Sequence, residues 1–170
     1  MRATRPALAL PAALAAVLCA APPASARSYD IPQALSLVLG RVAAGTDVPI
    51  RLPARLALDY DRGTSADGFG ARESYALALG ATAGCRTSSA CSLASFSGRR
   101  GGHLPKAGRV ALARGITGAY TPSRCGASCS PPAIRWVQGG VLYAIAAKVP
   151  SSPRTTLVRA ANSAIRRPAD

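Results

Sequence analysis

Four of the five cysteines, the single histidine and a run of basic residues are the places where this chain's side chains could do chemistry. Cys85 and Cys91 form a Cys-x5-Cys pattern, and Cys125 and Cys129 a Cys-x3-Cys pattern. An even number of cysteines in exported sequence pairs as structural disulfides. Four allow three connectivities. Each pair flanks a short turn-rich segment, so local pairing, Cys85 with Cys91 and Cys125 with Cys129, is the favoured one. Zinc would need a second ligand type close by, which neither spacing supplies, and no metal or cofactor is expected. Neither pair is the Cys-x-x-Cys of exchange enzymes, which argues against redox catalysis.

His103 is the only histidine. A catalytic role would need a nucleophile and an orienting carboxylate; Ser92, Ser95 and Ser97 are near in number only, and no Gly-x-Ser-x-Gly elbow occurs. No catalytic residue is therefore assigned. Asp59, Asp61 and Asp67 suggest a calcium loop, but the closing glutamate is missing and Glu73 is the sole glutamate, so a surface loop is expected. Arg99, Arg100, His103, Lys106 and Arg109 make the densest basic stretch, with no acid among them. Such a loop could hold a phosphate, sulfate or carboxylate, assisted by the amides of Gly101 and Gly102. It would then carry a disproportionate share of any polyanion affinity. The competing reading is a solvated hairpin tip. Phe69 and Tyr120 are not interleaved with the patch, so no specific nucleic-acid recognition is indicated.

The N-terminus speaks for export. Arg2 and Arg5 precede the apolar run Ala7 to Leu18, and Ala24-Ser25-Ala26 offers a small-x-small cleavage signal. A secretory signal peptide is expected over 1–26, with one disulfide-containing domain over 27–170 that is secreted or periplasmic. A lipoprotein reading, with Cys19 lipidated, would want a small residue where Leu18 stands. No later run approaches the ~20 apolar residues of a membrane helix. Removing Arg2 and Arg5 lowers the formal charge from +14 to about +12, nearly all of it arginine. GC-rich codon usage, which favours alanine and arginine together, is one source of that charge. Attraction to an anionic envelope polymer, lipid or extracellular nucleic acid is the other.

The elements that must position these residues follow from periodicity. Asp30 can cap a helix with Ile31, Ala34, Leu35, Val38 and Val42 on its apolar face, ending near Gly45. Val48 to Pro53 alternates as an edge strand or an extended approach to a sheet, since Pro49 and Pro53 cannot donate to a ladder. Asp59 to Ala71, with Gly63, Gly68 and Gly70, reads as a loop. Ser74 to Leu79 and Ser92 to Ser97 read as strands around the first cysteine loop. Val110 to Ala113 reads as a short strand that Ile116 to Tyr120 continues.

The strongest local signal is the hairpin Ala133 to Val149. Gly139-Gly140 supplies the positive φ of a two-residue loop and so fixes the register. Trp136 then faces Tyr143 and Ile134 faces Ile145, with Val141 on the same side. A final helix follows, with Ser152 as cap, Pro153 in the first turn, and Leu157, Ala160, Ala161, Ala164 and Ile165 as one apolar stripe. Arg154, Arg159 and Arg166 point away from that stripe, and Arg166 with Arg167 suits the negative helix end. The sum is an α+β fold: two layers, a mainly antiparallel sheet, and an N-terminal and a C-terminal helix packed on it. The predicted core is Trp136, Tyr143, Ile134, Ile145, Leu157 and Ile165.

From Cys125 onward, Cys-Gly-Ala-Ser-Cys, two prolines, Ile-x-Trp, the glycine turn, Tyr-x-Ile and Ala-Asn-Ser-Ala-Ile resemble small secreted bacterial proteins of unknown function. The Trp…Gly…Tyr hairpin with its alanine-rich helix is also similar to extracytoplasmic domains found with some anti-sigma factors. The resemblance implies a scaffold of packing residues and transfers no active site. The expected function is an exported, non-enzymatic binding or structural module of the cell envelope. The alternatives are a basic surface that binds an anionic envelope polymer, lipid or nucleic acid, and a secreted hydrolase.

Overall fold

The computed structural model describes residues 27–85 and 90–167, and the expected signal peptide lies outside them. A short strand, β1 (Arg27–Asp30), leads into the first helical turn, which Asp30 caps by accepting from the Gln33 N–H at 3.0 Å. The single helix read from the periodicity is broken at Leu35, whose ψ of 0° separates α1 (Ile31–Ala34) from α2 (Ser36–Ala44). Ile31, Leu35, Val38 and Val42 are nonetheless all buried, so the apolar face survives the break. Val48, Ile50 and Leu52 alternate into the core without joining a ladder, as the prolines between them require. β2 (Arg55–Leu58) then pairs antiparallel with β1.

The stretch read as a loop from Asp59 to Ala71 is corrected in its second half. β3 (Ser65–Ala71) is a seven-residue strand paired with β4 (Ser74–Gly80). Its glycines mark close packing. A Cβ on Gly68 would lie 3.0 Å from Cγ2 of Val42, and one on Gly70 would collide with the Val42 carbonyl. Glycine thus lets α2 press onto this edge of the sheet.

β5 (Ser92–Arg100) runs longer than its sequence signal and pairs with β4. A register shift opposite Leu79 and Gly80 lets Leu93 and Ala94 both be buried. A second correction follows. β6 (Arg109–Ala111) and β7 (Thr117–Thr121) are not one strand but an antiparallel pair. The chain reverses through a tight turn in which Arg114 takes a φ of 57° and Gly115 a φ of 71°. A left-handed arginine gives no sequence signal for a turn.

β8 (Arg124–Cys125) and β9 (Cys129–Ser130) form a separate small hairpin. β10 (Ala133–Gln138) and β11 (Val141–Ala147) adopt the expected register, with Trp136 opposite Tyr143 and Ile134 opposite Ile145. Gly139 and Gly140 have φ of 57° and 74°, the two positive values that a type I′ turn needs. The Trp136 and Tyr143 rings stack with centroids 5.4 Å apart. α3 (Pro153–Arg166) closes the chain and buries Leu157, Ala160, Ala161, Ala164 and Ile165. Ser152 stands at its N-cap position but in the left-handed region, and its side chain caps nothing. Its carbonyl instead accepts from the Thr156 N–H at 3.0 Å.

The main sheet has seven strands in the order β3-β4-β5-β11-β10-β7-β6, and each neighbouring pair is antiparallel. α3 lies on β10 and β11, and α2 on β3 and β4. Both cover the face that carries Tyr75, Leu77, Phe96, Tyr143, Ile145, Trp136 and Ile134, which together form the core. The other face carries small residues such as Ala76, Ser97 and Ala144 in register, with Arg135 beyond them. The architecture is α+β, a mainly antiparallel sheet with helices on one side.

Candidate functional site

The basic stretch singled out in the sequence does not converge. Arg99 and Arg100 end β5, and successive strand residues point to opposite faces. Arg100 belongs to the helix side, where its guanidinium donates to the Asp47 carbonyl at 3.0 Å. Arg99 stands exposed on the open face beside Leu142. His103 and Lys106 are exposed in the connection, and Arg109 begins β6, its Nε donating to the Lys106 carbonyl at 3.3 Å. β5 and β6 are four strands apart in the sheet, so Arg99 and Arg109 are separated by about 19 Å. Arg135 lies between them on the same face and donates to Thr121 Oγ1 at 3.1 Å.

Convergence is found instead along α3. Its outer flank repeats Thr155, Val158, Arg159, Asn162 and Arg166 at helical spacing, a second stripe beside the buried apolar one. With Ala54, Ser163 and Arg167, this stripe lines a groove of about 700 Å³. Asn162 and Ser163 brace its floor. Asn162 Oδ1 accepts from the Ala113 N–H at 2.6 Å, and Ser163 Oγ from the Ala54 N–H at 3.1 Å. Arg159 and Arg166 are seven residues apart, so they follow the groove at about 10 Å spacing.

Two further arginines gather at the end of the helix. Arg51 Nη1 donates to the Arg167 carbonyl at 3.0 Å, and Arg114 Nη2 to the Arg166 carbonyl at 3.2 Å. They satisfy carbonyls that the last turn leaves unpaired and sit at the negative end of the helix dipole. Arg51 also lies over the Tyr143 ring, 5.9 Å from its centroid. The Tyr75 hydroxyl accepts from the Arg51 N–H at 3.2 Å. Burial pushes the hydroxyl pKa of both Tyr75 and Tyr143 above the ordinary tyrosine value, and the nearby Arg51 only partly opposes it. Comparison of the chain with protein-family models, curated proteins and solved structures finds no match.

Five guanidinium groups therefore surround the last turns of α3. Arg51 and Arg114 are spent on the helix end. Arg159, Arg166 and Arg167 are exposed, and among the described residues their guanidinium groups have no hydrogen-bond or ion-pair partner. Among the described residues, no carboxylate lines the groove. The one ion pair among the described residues, Arg72 with Asp47, is elsewhere. Such an arrangement can hold a planar anion bidentately or a chain of anions along the helix.

Sequence reasoning missed Arg51 and Arg114, which reach α3 from far away in the chain. The Thr155–Arg166 stripe was present in the sequence as a period beside the apolar one. Among the described residues, no three carboxylate, imidazole or thiol groups gather, those of Asp59, Asp61 and Asp67 included. Asp67 accepts from the Gly68 N–H at 2.6 Å. The cysteines pair locally, Cys85 with Cys91 and Cys125 with Cys129. Cys85 is buried, whereas Cys125 and Cys129 are both exposed.

Proposed function

We propose that this chain is an exported, non-enzymatic binding module of the cell envelope whose α3 groove holds an anionic partner. The observation that carries this reading is the gathering of Arg159, Arg166 and Arg167 around one groove that no carboxylate lines among the described residues. All three are exposed and, among the described residues, unpaired, so packing gives no reason to keep them together. Mutual repulsion disfavours the cluster until an anion occupies it. The chain's general excess of basic over acidic residues, 21 against 7, draws such a partner in from a distance. The exposure of His103, the sole imidazole, supports a module that binds rather than one that transforms.

The test is affinity for heparin, used as a generic polyanion, across a range of salt. Each lost arginine contact lowers the slope of log affinity against log salt by roughly one. Arg159→Gln/Arg166→Gln is expected to lose about two units of slope. Arg99→Gln/Arg109→Gln, on the open face, is expected to lose less than half as much. Equal losses would mean that the charge acts as a diffuse field and that the groove has no special role. A larger loss for Arg99→Gln/Arg109→Gln would move the site to the open sheet face.

A further inference from the structure

A second groove, of about 630 Å³, lies at the other end of the helix side, and one wall of it is a disulfide. Cys129 lines it, with Pro131, Pro132, Val149 and Pro153 as apolar walls and Lys148 at the rim. Lys148 is held there, its Nζ donating to the Ala90 carbonyl. Arg124 flanks the disulfide on the strand side, and among the described residues no carboxylate lines the groove.

The two disulfides differ in their surroundings. Cys85 is 3% exposed and packs under Gly80, beside the Thr82 hydroxyl, and its partner Cys91 is half-buried. Cys125 and Cys129 are exposed, in a two-stranded hairpin that belongs to no larger sheet. Breaking that bond would release the tip of β8 and β9 and leave the seven-stranded sheet paired.

We propose that Cys125–Cys129 is a thiol-exchange site that accepts a cysteine-bearing polypeptide with apolar residues beside its thiol. Access and a positive surround favour exchange, because the attacking species is a thiolate. The Cys-x3-Cys spacing is not that of a dedicated exchange enzyme. Exposure and the adjoining groove carry the inference.

The groove presents Cys129, so the incoming thiolate attacks Cys129 Sγ. A new S–S bond forms between partner and Cys129, the Cys125–Cys129 bond breaks, and Cys125 leaves as a thiolate. The partner thiolate supplies the electron pair of the new bond and Cys125 takes the pair of the broken one, so the partner sulfur is formally oxidised by one electron as Cys125 is reduced by one. A second thiol of the partner, or Cys125 itself, then attacks the mixed disulfide. The first route leaves this chain as a dithiol and the partner as a disulfide; the second regenerates the starting pair. Apolar flanks on the partner rest against the prolines, which have no N–H to leave unpaired.

The experiment uses the full exported chain, oxidised and native, with two single-cysteine peptides of equal thiol pKa as probes. One has leucine and proline beside its cysteine and the other glycine and serine. Alkylation after timed quenching, followed by peptide mapping, reads which cysteines open. The expected result is opening of Cys125 and Cys129 at least tenfold faster than Cys85 and Cys91. The apolar peptide should be at least fivefold faster than the polar one, and the trapped adduct should sit mainly on Cys129. Cys125→Ser, which leaves Cys129 as a free thiol in the groove, should form a stable adduct with the apolar peptide supplied as its symmetric disulfide, one peptide thiolate leaving as Cys129 attacks.

Equal rates for the two peptides would show that the groove takes no part and overturn the proposal. So would an adduct mainly on Cys125, or opening of both disulfides together. Val149→Asp gives a second check that leaves both disulfides in place: it should remove the preference for the apolar peptide while leaving the slower polar rate unchanged.

Discussion

Truncating Trp136 gives the sharpest test of how the sheet is faced. The residue is fully buried and stacks on Tyr143, at 5.4 Å between centroids and 22° between planes. Replacing a buried tryptophan by alanine costs about 3–5 kcal/mol, which includes the ~1 kcal/mol that an aromatic pair contributes beyond its area. Trp136 Nε1 has no hydrogen-bond partner among the described residues, so its removal recovers part of a desolvation penalty. The expected loss for Trp136→Ala therefore sits near the lower end, about 3 kcal/mol. In a chain of this length that lowers the melting temperature by roughly 10 °C. Trp136→Phe keeps a ring on Tyr143 and removes the unpaired N–H, so it should cost about 1 kcal/mol or less. Arg135, its neighbour on the open face, loses one 3.1 Å bond to Thr121 when replaced by alanine, at a cost of about 1 kcal/mol. Paired thermal and urea melts of the three variants decide the matter. If Arg135→Ala loses as much as Trp136→Ala, the faces are wrongly assigned.

Two more perturbations probe parts of the structure that other residues hold. Gly70→Ala should lose about 1–3 kcal/mol, because its Cβ would strike the Val42 carbonyl of α2, while Gly63→Ala should be near neutral since nothing lies within 4 Å; urea midpoints compare the two. The raised hydroxyl pKa values of Tyr75 and Tyr143 make the fold sensitive to alkali. A folded pKa above the unfolded value of about 10 leaves stability intact below pH ~10 and removes it as pH rises further. Stability measured from pH 8 to 11.5 should fall only above about pH 10, and more shallowly in Tyr75→Phe; a fall that begins near pH 8 would contradict the assignment.

Much of the fold is legible because its strongest elements are locally determined. Gly139-Gly140 fixes the β10–β11 register without help from the rest of the chain, and the five-residue apolar stripe fixes the buried face of α3. β3 is not legible in that way. Its glycines look like a loop until α2 is seen lying on them, and that contact joins residues more than twenty positions apart. The β6–β7 reversal depends on a left-handed Arg114, a conformation that no residue type announces. The groove fails for a third reason. Ala54, Arg51 and Arg114 reach α3 across separations of 52 to 116 residues, and no local pattern encodes that meeting. The basic stretch from Arg99 to Arg109 shows the converse. Its residues are close in sequence, yet the strand order carries its two ends to opposite parts of the sheet.

The most direct test of the groove is to see where an anion lands. Backbone amide signals of the isotope-labelled protein can be followed while a short heparin oligosaccharide is titrated in at low salt. The expected result is saturable shifts concentrated at Ala54, Thr155, Arg159, Asn162, Ser163, Arg166 and Arg167, with small changes on β5 and β6. Shifts centred on Arg99 to Arg109, or spread evenly over all exposed arginines, would contradict a binding groove on α3.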